Sequence, residues 1–367
     1  MNAPAAVAAR VARQPTVPRA ALILKIDTLG DLVLFAPTLR ALREAWLDTR
    51  LVVVIRRAYL DLAPLIAPNI EWLATTLDPF AHGPDANTTE LNRLREEIAA
   101  LQPEIIAAAS SHRHWLDVAL AAAAPGARCV SLGAASDDQF FAAQLQIQLR
   151  LRASEVFREA IVSPADEPDW QRNFRLADTL LGRPIPRNPP SLAVDDATRS
   201  AAQEILASLG LTPGRFAVCA AAGFANVKIK TWSPEKFGEA LVHLRSRHDL
   251  PALLIGHESE RSHLECVRSS ASSAAPPLWL GRTGELPLLA ALIAESALYV
   301  GNDTGAMHLA AALDVPVVAI FGGGTWPRFT PAARRGVAVV QPLPCFGCGW
   351  ACAFDDAPCL VGVAVDH

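Results

Sequence analysis

A strand, turn, helix and strand follow one another in residues 299–321, YVGNDTGAMHLAAALDVPVVAIF. The apolar run at 297–300 predicts a buried strand, and Gly301–Gly305 predicts a turn. Ala306–Leu313 then predicts a helix, and Val315–Phe321 a second strand. Such βαβ units build parallel sheets, because the connecting helix returns the chain to the same edge. This stretch therefore predicts an α/β fold.

The start of the predicted helix has the features of an anion site. Asp303 or Thr304 would be the N-cap, which leaves the backbone N–H groups of residues 305–307 pointing out of the helix. Phosphates bind well at such a helix start. His308 follows Thr304 by four residues and so lies on the same helix face. The alternatives are a simple helix cap and a buried histidine of the core.

A second strand and helix open the first half of the chain. The run 21–26 predicts a buried strand, and a helix is predicted from Leu32, bent or interrupted at Pro37. Gly30 and Asp31 lie in the turn between them, at the strand's carboxyl end, where open α/β sheets bind ligands. Helix N-cap is the alternative role for Asp31.

The remaining pattern alternates in the same way along both halves. Further strands are predicted at 51–55, 105–109, 129–132, 216–222, 252–255 and 278–280, and helices at 90–101, 115–124, 140–157, 170–181, 198–209, 233–247, 259–269 and 287–294. The strands of the second half end in short polar turns, so these turns should meet at one sheet edge.

A proline-rich stretch at 182–190 is the best candidate for a linker, because four prolines in nine residues cannot continue a helix. A chain of 367 residues is long enough for two domains. We therefore predict four parts: a loose arm at 1–20, domains at 21–185 and 186–340, and a cysteine-rich tail at 341–367.

Composition excludes several classes. A net charge of −4 gives no basic field for nucleic acid, so we expect no nucleic-acid partner. Seven cysteines in a chain of this size do not indicate a secreted disulfide scaffold. The sequence contains no long uninterrupted apolar run and no signal-peptide pattern. We expect a cytoplasmic location, with peripheral contact to the inner membrane left open.

Two motifs together resemble glycosyltransferase family 9, the heptosyltransferases. LKIDTLGDLVLFAPTLRALREAW at 24–46 resembles the family's N-terminal motif with its Leu-Gly-Asp core, and GNDTGAMHLAAALDVPVVAIFG at 301–322 resembles its donor-binding motif. Lys230-Thr231-Trp232-Ser233 lies where the family carries Lys-x-Trp-Pro. Both motifs occur in order and in separate halves, and the similarity extends from about residue 21 to about residue 360.

The resemblance implies a GT-B fold, two Rossmann-like doubly wound domains facing a central cleft. It implies inverting transfer of a heptose from ADP-L-glycero-D-manno-heptose to a lipopolysaccharide core, with no cofactor required for catalysis. Asp31 would be the general base. The donor would bind at Gly30, Lys230, Glu258, Thr283, Asp303, Thr304, Gly305 and His308. Arg56, Arg57, His112 and Arg113 also follow predicted strands, and we consider them as acceptor-binding residues.

Four cysteines crowd into the tail, at Cys345, Cys348, Cys352 and Cys359. Four thiolates can form a closed zinc or iron site, so a structural metal is one interpretation and a set of unligated thiols is the other. Similar four-cysteine tails occur in many members of the family that this chain resembles, and a subgroup that glycosylates autotransporter adhesins carries an iron-binding cysteine motif. The resemblance therefore leaves a second function open, heptose transfer to protein hydroxyls.

A third interpretation is a non-catalytic nucleotide-binding module; the presence of Asp31 and Lys230 argues against it, because a pure binder needs no base. A dinucleotide dehydrogenase is disfavoured, because neither half has Gly-x-Gly-x-x-Gly after its first strand.

Overall fold

The chain forms two parallel β-sheets, each with six strands and each covered by helices. The structure is a computed structural model that describes residues 17–81, 88–133, 141–223, 227–354 and 356–365. The first sheet has the order β3-β2-β1-β4-β5-β6 and the second β12-β11-β10-β7-β8-β9. Both are doubly wound orders with a crevice where the winding reverses. The predicted fold class, two Rossmann-like domains, is confirmed.

The strands are β1 (Ala20–Leu24), β2 (Arg50–Arg56), β3 (Glu71–Thr75), β4 (Ile105–Ala108), β5 (Arg128–Leu132), β6 (Glu159–Ile161), β7 (Ala217–Ala220), β8 (Ala252–His257), β9 (Leu278–Gly281), β10 (Leu298–Asn302), β11 (Val317–Phe321) and β12 (Gly336–Val340). The helices are α1 (Leu29–Ala45), α2 (Ala63–Ile66), α3 (Thr88–Leu101), α4 (Trp115–Ala121), α5 (Ala142–Gln144), α6 (Ala153–Val156), α7 (Asp169–Leu181), α8 (Asp196–Ser208), α9 (Pro234–His248), α10 (Arg261–Ser270), α11 (Leu286–Ala294), α12 (Gly305–Ala312) and α13 (Pro358–Val361).

The central strand of the first sheet is β1, which pairs in parallel with β2 and β4. Its side chains alternate between two apolar cores: Ala21 and Ile23 pack on one face, and Leu22 and Leu24 on the other. A strand buried on both faces is apolar throughout, which is why this run was recognisable from sequence. In the second sheet β10 takes the same place, between β7 and β11.

Three edge or near-edge strands, β3, β6 and β12, were not predicted. The predicted helix 140–157 is also wrong, because Arg150 adopts φ 54 and ends the helical stretch before α6 begins at Ala153; Phe140 itself lies outside the described residues. Helix α1 continues through Pro37 without the predicted interruption. The Asn173 amide donates to the Leu34 carbonyl at 3.2 Å and so joins α7 to α1 near the proline.

The two domains are joined by direct contacts beside the cleft. Helix α1 of the first domain packs against α12 of the second. Asp61 accepts a hydrogen bond from the Leu286 N–H, at the start of α11, at 2.8 Å. In a second contact between the domains, Asp169 of the first domain accepts a hydrogen bond from the Arg328 guanidinium of the second at 2.9 Å. The carboxyl edges of both sheets therefore face each other across one gap.

Two largely irregular segments lie outside the sheets: the connection between α7 and α8, and the tail after β12. Helix α7 ends at Gly182, with φ 66, and the chain is irregular until α8. The tail packs on the second domain, where the Trp232 indole donates to the Val363 carbonyl at 3.0 Å. In the described part of the chain, no helix is long and apolar enough to cross a membrane.

Candidate active site

A cavity of about 720 Å³ lies between the two domains. Its wall includes the turn after β1 and the turns after β7, β8, β9 and β10. Eight of the residues predicted from the two motifs and the polar turns line it: Gly30, Asp31, His112, Lys230, Asp303, Thr304, Gly305 and His308. The carboxyl edges of parallel sheets bind ligands, so this cavity is the candidate active site.

Asp31 lies on the first-domain side, in the first turn of α1. Thr28 is the N-cap, and Asp31 closes a capping box by accepting from the Thr28 N–H at 3.1 Å and the Thr28 hydroxyl at 2.5 Å. Both bonds use Oδ2. Oδ1 is buried and has no partner among the described residues. The capping role and a role toward a ligand are therefore carried by different oxygens of one carboxylate.

The start of α12 lies on the opposite side. Thr304 is its N-cap, and the N–H groups of Gly305 and Ala306 have no hydrogen-bond partner in the described residues. The Met307 N–H, in contrast, donates to the Thr304 carbonyl at 3.1 Å, so the expectation of three open amides is corrected to two. Two open amides at the positive end of a helix can still bind an anion.

Asn302, the last residue of β10, organises the loop that carries Lys230. Its side-chain amide donates to the Ala221 carbonyl at 3.0 Å, and its side-chain oxygen accepts from the Trp232 N–H at 3.1 Å. Both ends of this loop are thus fixed to the strand that leads into α12. Lys230 lines the cavity from this loop, and in the described residues it has no ion-pair partner.

His308 lies where the two domains touch. It is only 3% exposed, and its Nδ1 has no partner among the described residues. The backbone at Gly223, which has φ +101, also lies close to the start of α12, because a β-carbon there would be 2.4 Å from the Thr304 methyl carbon. Burial lowers the pKa of His308 below 6.5, although the Asp303 and Asp31 carboxylates act in the opposite direction. The imidazole is therefore neutral near pH 7 while the cavity is free.

The turns after β8 and β9 form the far end of the cavity. Glu260 lines it and accepts from the Gly223 N–H at 2.8 Å and the His257 N–H at 3.0 Å. Glu258, which was predicted here, instead pairs with Arg261 at 2.6 Å on the surface. Thr283 is exposed and lies outside the cavity wall, whereas Trp279 is part of that wall.

The four predicted acceptor residues have different surroundings. Arg56 lies 5.7 Å from the Tyr59 ring and 5.8 Å from the Phe80 ring, and both rings line the cavity. His112 lines the cavity, and Arg57 is exposed outside its wall. Arg113 is buried and donates to the Ser131 hydroxyl at 2.7 Å, so it lies in the first domain's interior and away from the cavity.

The tail contributes to the cavity wall through Gly349 and Trp350. Cys345 is exposed, while Cys359 is buried and its sulfur accepts from the Gly323 N–H at 3.4 Å. Among the described residues no three potential metal ligands are grouped together, and this holds for the four tail cysteines. Cys348 and Cys352 are half-buried free thiols.

Among the wall residues that were not recognised from sequence are Tyr59, Glu260 and Trp279. Trp279 had one usable signal, an aromatic side chain at the carboxyl end of a predicted strand. Glu260 had none, because two acidic residues spaced by one serine cannot be told apart without the turn that separates them.

Comparisons with known proteins agree with the motifs. Residues 122–349, more than half of the chain, match the family described as Glycosyltransferase family 9 (heptosyltransferase). Lipopolysaccharide heptosyltransferase 3 of Escherichia coli is 30% identical over 95 residues, which cover 25% of this chain and 27% of that relative. The matched region thus spans about a quarter of the relative's length.

Two solved structures have the same fold. The ADP-heptose lipopolysaccharide heptosyltransferase II of E. coli superimposes with a TM-score of 0.68 at 15% identity, over 95% of each chain. The E. coli heptosyltransferase WaaC, solved with ADP-2-deoxy-2-fluoro heptose, superimposes with a TM-score of 0.60 at 19% identity, over 90% of this chain and 95% of that one. These similarities confirm the predicted GT-B arrangement of two Rossmann-like domains around a cleft.

Proposed function

The chain belongs to glycosyltransferase family 9, the heptosyltransferases, and we propose that it transfers a heptose from ADP-L-glycero-D-manno-heptose to a lipopolysaccharide core. The observation that carries this proposal is the pairing of two helix starts across one cavity. One presents the unpartnered Oδ1 of Asp31, and the other presents the open amides of Gly305 and Ala306. A base facing an anion site is what glycosyl transfer from a diphosphate requires.

The donor would lie along the carboxyl edge of the second sheet. Its diphosphate would bind at the start of α12, and the nucleoside would extend past β7 and β8 to β9. Those three strand spacings span about 14 Å, a length that suits a nucleoside diphosphate. Glu260, rather than Glu258, would accept hydrogen bonds from the ribose hydroxyls, and Trp279 would stack on the base. The ADP-sugar in the WaaC structure supports adenine as this base.

Transfer would proceed with inversion at the anomeric carbon. The acceptor hydroxyl gives its proton to Asp31 Oδ1 as its oxygen bonds to that carbon from the side of the first domain. The bond to the diphosphate breaks on the opposite side, and ADP leaves with the electron pair. The negative charge that grows on the diphosphate is stabilised by the two amides, by Lys230 and by His308. These side chains require no further cofactor.

The acceptor would enter from the first domain. Arg56, held against two aromatic rings at the rim, would contact anionic groups of the core, and His112 would line the path. Arg57 is accessible for the same purpose, whereas Arg113 would act only by supporting the fold. We place the reaction in the cytoplasm, with the acceptor held at the inner-membrane surface.

We favour lipopolysaccharide over an autotransporter as acceptor. The protein-acceptor alternative depended on the cysteine motif, and no three of those thiols are grouped in the described residues. Zinc or iron analysis of the purified protein tests this choice: stoichiometric metal would favour the alternative. A non-catalytic module is disfavoured, because a pure nucleotide binder gains nothing from a buried carboxylate oxygen without a partner.

Two measurements test the proposal. In a thermal-shift panel of ADP-, UDP- and GDP-linked sugars, a ligand at about 100 times its Kd adds about 2.7 kcal/mol of stability, and we expect this only for ADP-sugars. Transfer from ADP-heptose to a heptose-deficient core should then fall about 10²- to 10⁴-fold in Asp31→Asn, since general-base catalysis is lost. A response to UDP-sugars alone, or full turnover by Asp31→Asn, would reject the proposal.

A further inference from the structure

Beneath the cavity floor, the turn after β1 buries three ionisable side chains together. Lys25 is 1% exposed, Asp27 4% and Asp31 7%. The Lys25 ammonium donates to Asp27 Oδ2 at 2.9 Å and to the Ala109 carbonyl at 2.8 Å, and it lies 5.3 Å from the Phe35 ring. Asp27 does not line the cavity. Any effect it has on the reaction must therefore act through a neighbour.

Asp27 is incompletely satisfied. Its Oδ1 is buried without a hydrogen-bond partner in the described residues, as is Oδ1 of Asp31. A buried carboxylate oxygen without a donor is costly. Asp27 nevertheless serves as counter-ion to the buried Lys25 ammonium, which an apolar side chain at residue 27 would leave uncompensated.

The charges around this pair leave one ammonium for two carboxylates. Asp169 also acts on Lys25, but it is held by the Arg328 guanidinium at 2.9 Å and the Ser111 hydroxyl at 2.8 Å. Asp117 acts on Asp27, but its Oδ2 accepts from the His114 N–H at 2.8 Å. Lys25 lies at ion-pair distance from Asp27. The imidazoles of His114 and His308 also interact with the Asp31 carboxylate.

We propose that Asp27 is a positioning residue for Asp31: by holding the Lys25 ammonium, it keeps that cation from pairing with Asp31 and so leaves Asp31 Oδ1 open to the acceptor hydroxyl. This inference rests on the proposed role of Asp31 as general base. The three side chains carry a net charge of −1 when both carboxyls are ionised. Taking up the acceptor's proton on Asp31 makes the cluster neutral, and release of that proton to water after product departure restores it.

The titration of the cluster agrees with this arrangement. Burial, and then the neighbouring Asp31 carboxylate, raises the pKa of Asp27 well above 3.8, against the effect of Lys25. Burial disfavours the Lys25 ammonium, but the carboxylates of Asp27, Asp31 and Asp169 hold the pKa of Lys25 above 10.5. The cluster thus has more carboxylate than its one ammonium can neutralise.

The test is the pH profile of kcat/KM for heptose transfer, measured with ADP-heptose and a heptose-deficient core. In Asp27→Asn, Lys25 becomes available to Asp31, and the acidic limb should move down by about one pH unit. In Lys25→Met the cation is lost, and the limb should move up. Asp27→Glu keeps the charge and should restore the wild-type limb. The KM for the donor should change less than about twofold in all three, because none of these residues lines the cavity.

Glu258→Gln is the matched control, since it removes a carboxylate that pairs with Arg261 outside the cavity. If the acidic limb does not move in folded Asp27→Asn and Lys25→Met, the inference is overturned, and the ion pair of Lys25 and Asp27 has only a structural role. Circular dichroism and thermal unfolding establish that the variants are folded.

A second readout needs no acceptor. NMR of protein labelled with ¹³C at aspartate carboxyls should show a carboxyl that titrates well above the ordinary value of about 3.9, and this signal should be lost in Asp27→Asn. Its absence from the wild type would overturn the inference even if transfer occurs. If the signal is present but the wild type transfers no heptose, the proposed function is wrong, whereas the interaction among Lys25, Asp27 and Asp31 is still supported.

Discussion

Gly30 and His308 are in contact across the two domains: a β-carbon on Gly30 would lie 2.7 Å from Cδ2 of the imidazole. Gly305 is equally close, since its β-carbon would lie 2.9 Å from the Leu29 side chain. The helix start that carries the proposed base thus rests directly on the helix start that carries the proposed diphosphate site. This contact sets the distance over which transfer would occur.

Gly30→Ala should therefore impair the reaction by separating the two helix starts. His308 is buried and packs near Phe329, with ring centroids 6.4 Å apart, so it cannot simply move aside. We expect kcat/KM to fall at least about tenfold, since misplacement by about 1 Å can cost about 10²-fold. Gly126→Ala is the control, because a β-carbon there meets nothing within 4 Å. Equal activity of the two variants would show that the contact does not matter.

Lys230→Ala should weaken stabilisation of the leaving diphosphate. A hydrogen bond to a charged group contributes about 1.5–3 kcal/mol, so kcat/KM should fall about 10- to 100-fold. Arg268→Ala removes the same charge from an exposed pair with Glu265 in the same domain, and it should leave the rate unchanged. If both variants lose activity to the same extent, the effect is that of net charge and not of the site.

Trp279→Ala should weaken nucleotide binding. Stacking of a base on an aromatic side chain contributes about 1–3 kcal/mol, which predicts a Kd for ADP about 5- to 150-fold higher. Trp279→Phe keeps a ring and should recover most of the affinity, as measured by calorimetry. An unchanged Kd in Trp279→Ala would place the base elsewhere in the cavity.

Binding of ADP should be coupled to protonation of His308. The pKa of His308 is lowered in the free protein, and a bound diphosphate raises it because it favours the imidazolium. Binding should then take up a proton, and affinity should increase as pH falls through the pKa of the complex. Calorimetry in two buffers of different ionisation enthalpy measures this uptake. His308→Asn should abolish it, and persistence of the uptake in that variant would assign it to another group.

The same shift affects stability. A histidine whose pKa is lowered on folding binds fewer protons in the folded than in the unfolded state, so its contribution to stability is lost as pH falls below about 6.5. His114 acts in the same direction, because burial lowers its pKa to about 4. Acid should therefore destabilise the free protein while strengthening its binding of ADP.

The core of the fold could be predicted from sequence because its central strands are buried on both faces. Runs such as Ala20–Leu24 and Leu298–Asn302 are almost wholly apolar, and each is followed by a polar turn with glycine. The strands β3 and β6 are at sheet edges, where partial exposure removes the continuous apolar signal. Both were accordingly missed, whereas β9, which is also at a sheet edge, was predicted at 278–280.

Residues of the cavity could be predicted where a motif determines the backbone position. They could not be predicted where the outcome depends on the direction in which a side chain points. The two strand-turn-helix units determine where Asp31, Thr304 and His308 lie, because each residue is in the turn or in the first turn of the helix that follows it. Glu258 and Glu260 differ only in which way a short 3₁₀ turn points them, and Arg113 lies inside the first domain because Ser131 on the neighbouring strand accepts its hydrogen bond. Such details depend on tertiary packing.

A crystal structure with ADP-2-deoxy-2-fluoro heptose would test the central claim most directly, because this analogue keeps both the diphosphate and the anomeric carbon. The account predicts diphosphate oxygens about 2.7–3.2 Å from the Gly305 amide and the Lys230 ammonium, with the anomeric carbon facing Asp31 Oδ1. A diphosphate bound away from the start of α12, or a sugar turned away from Asp31, would contradict it.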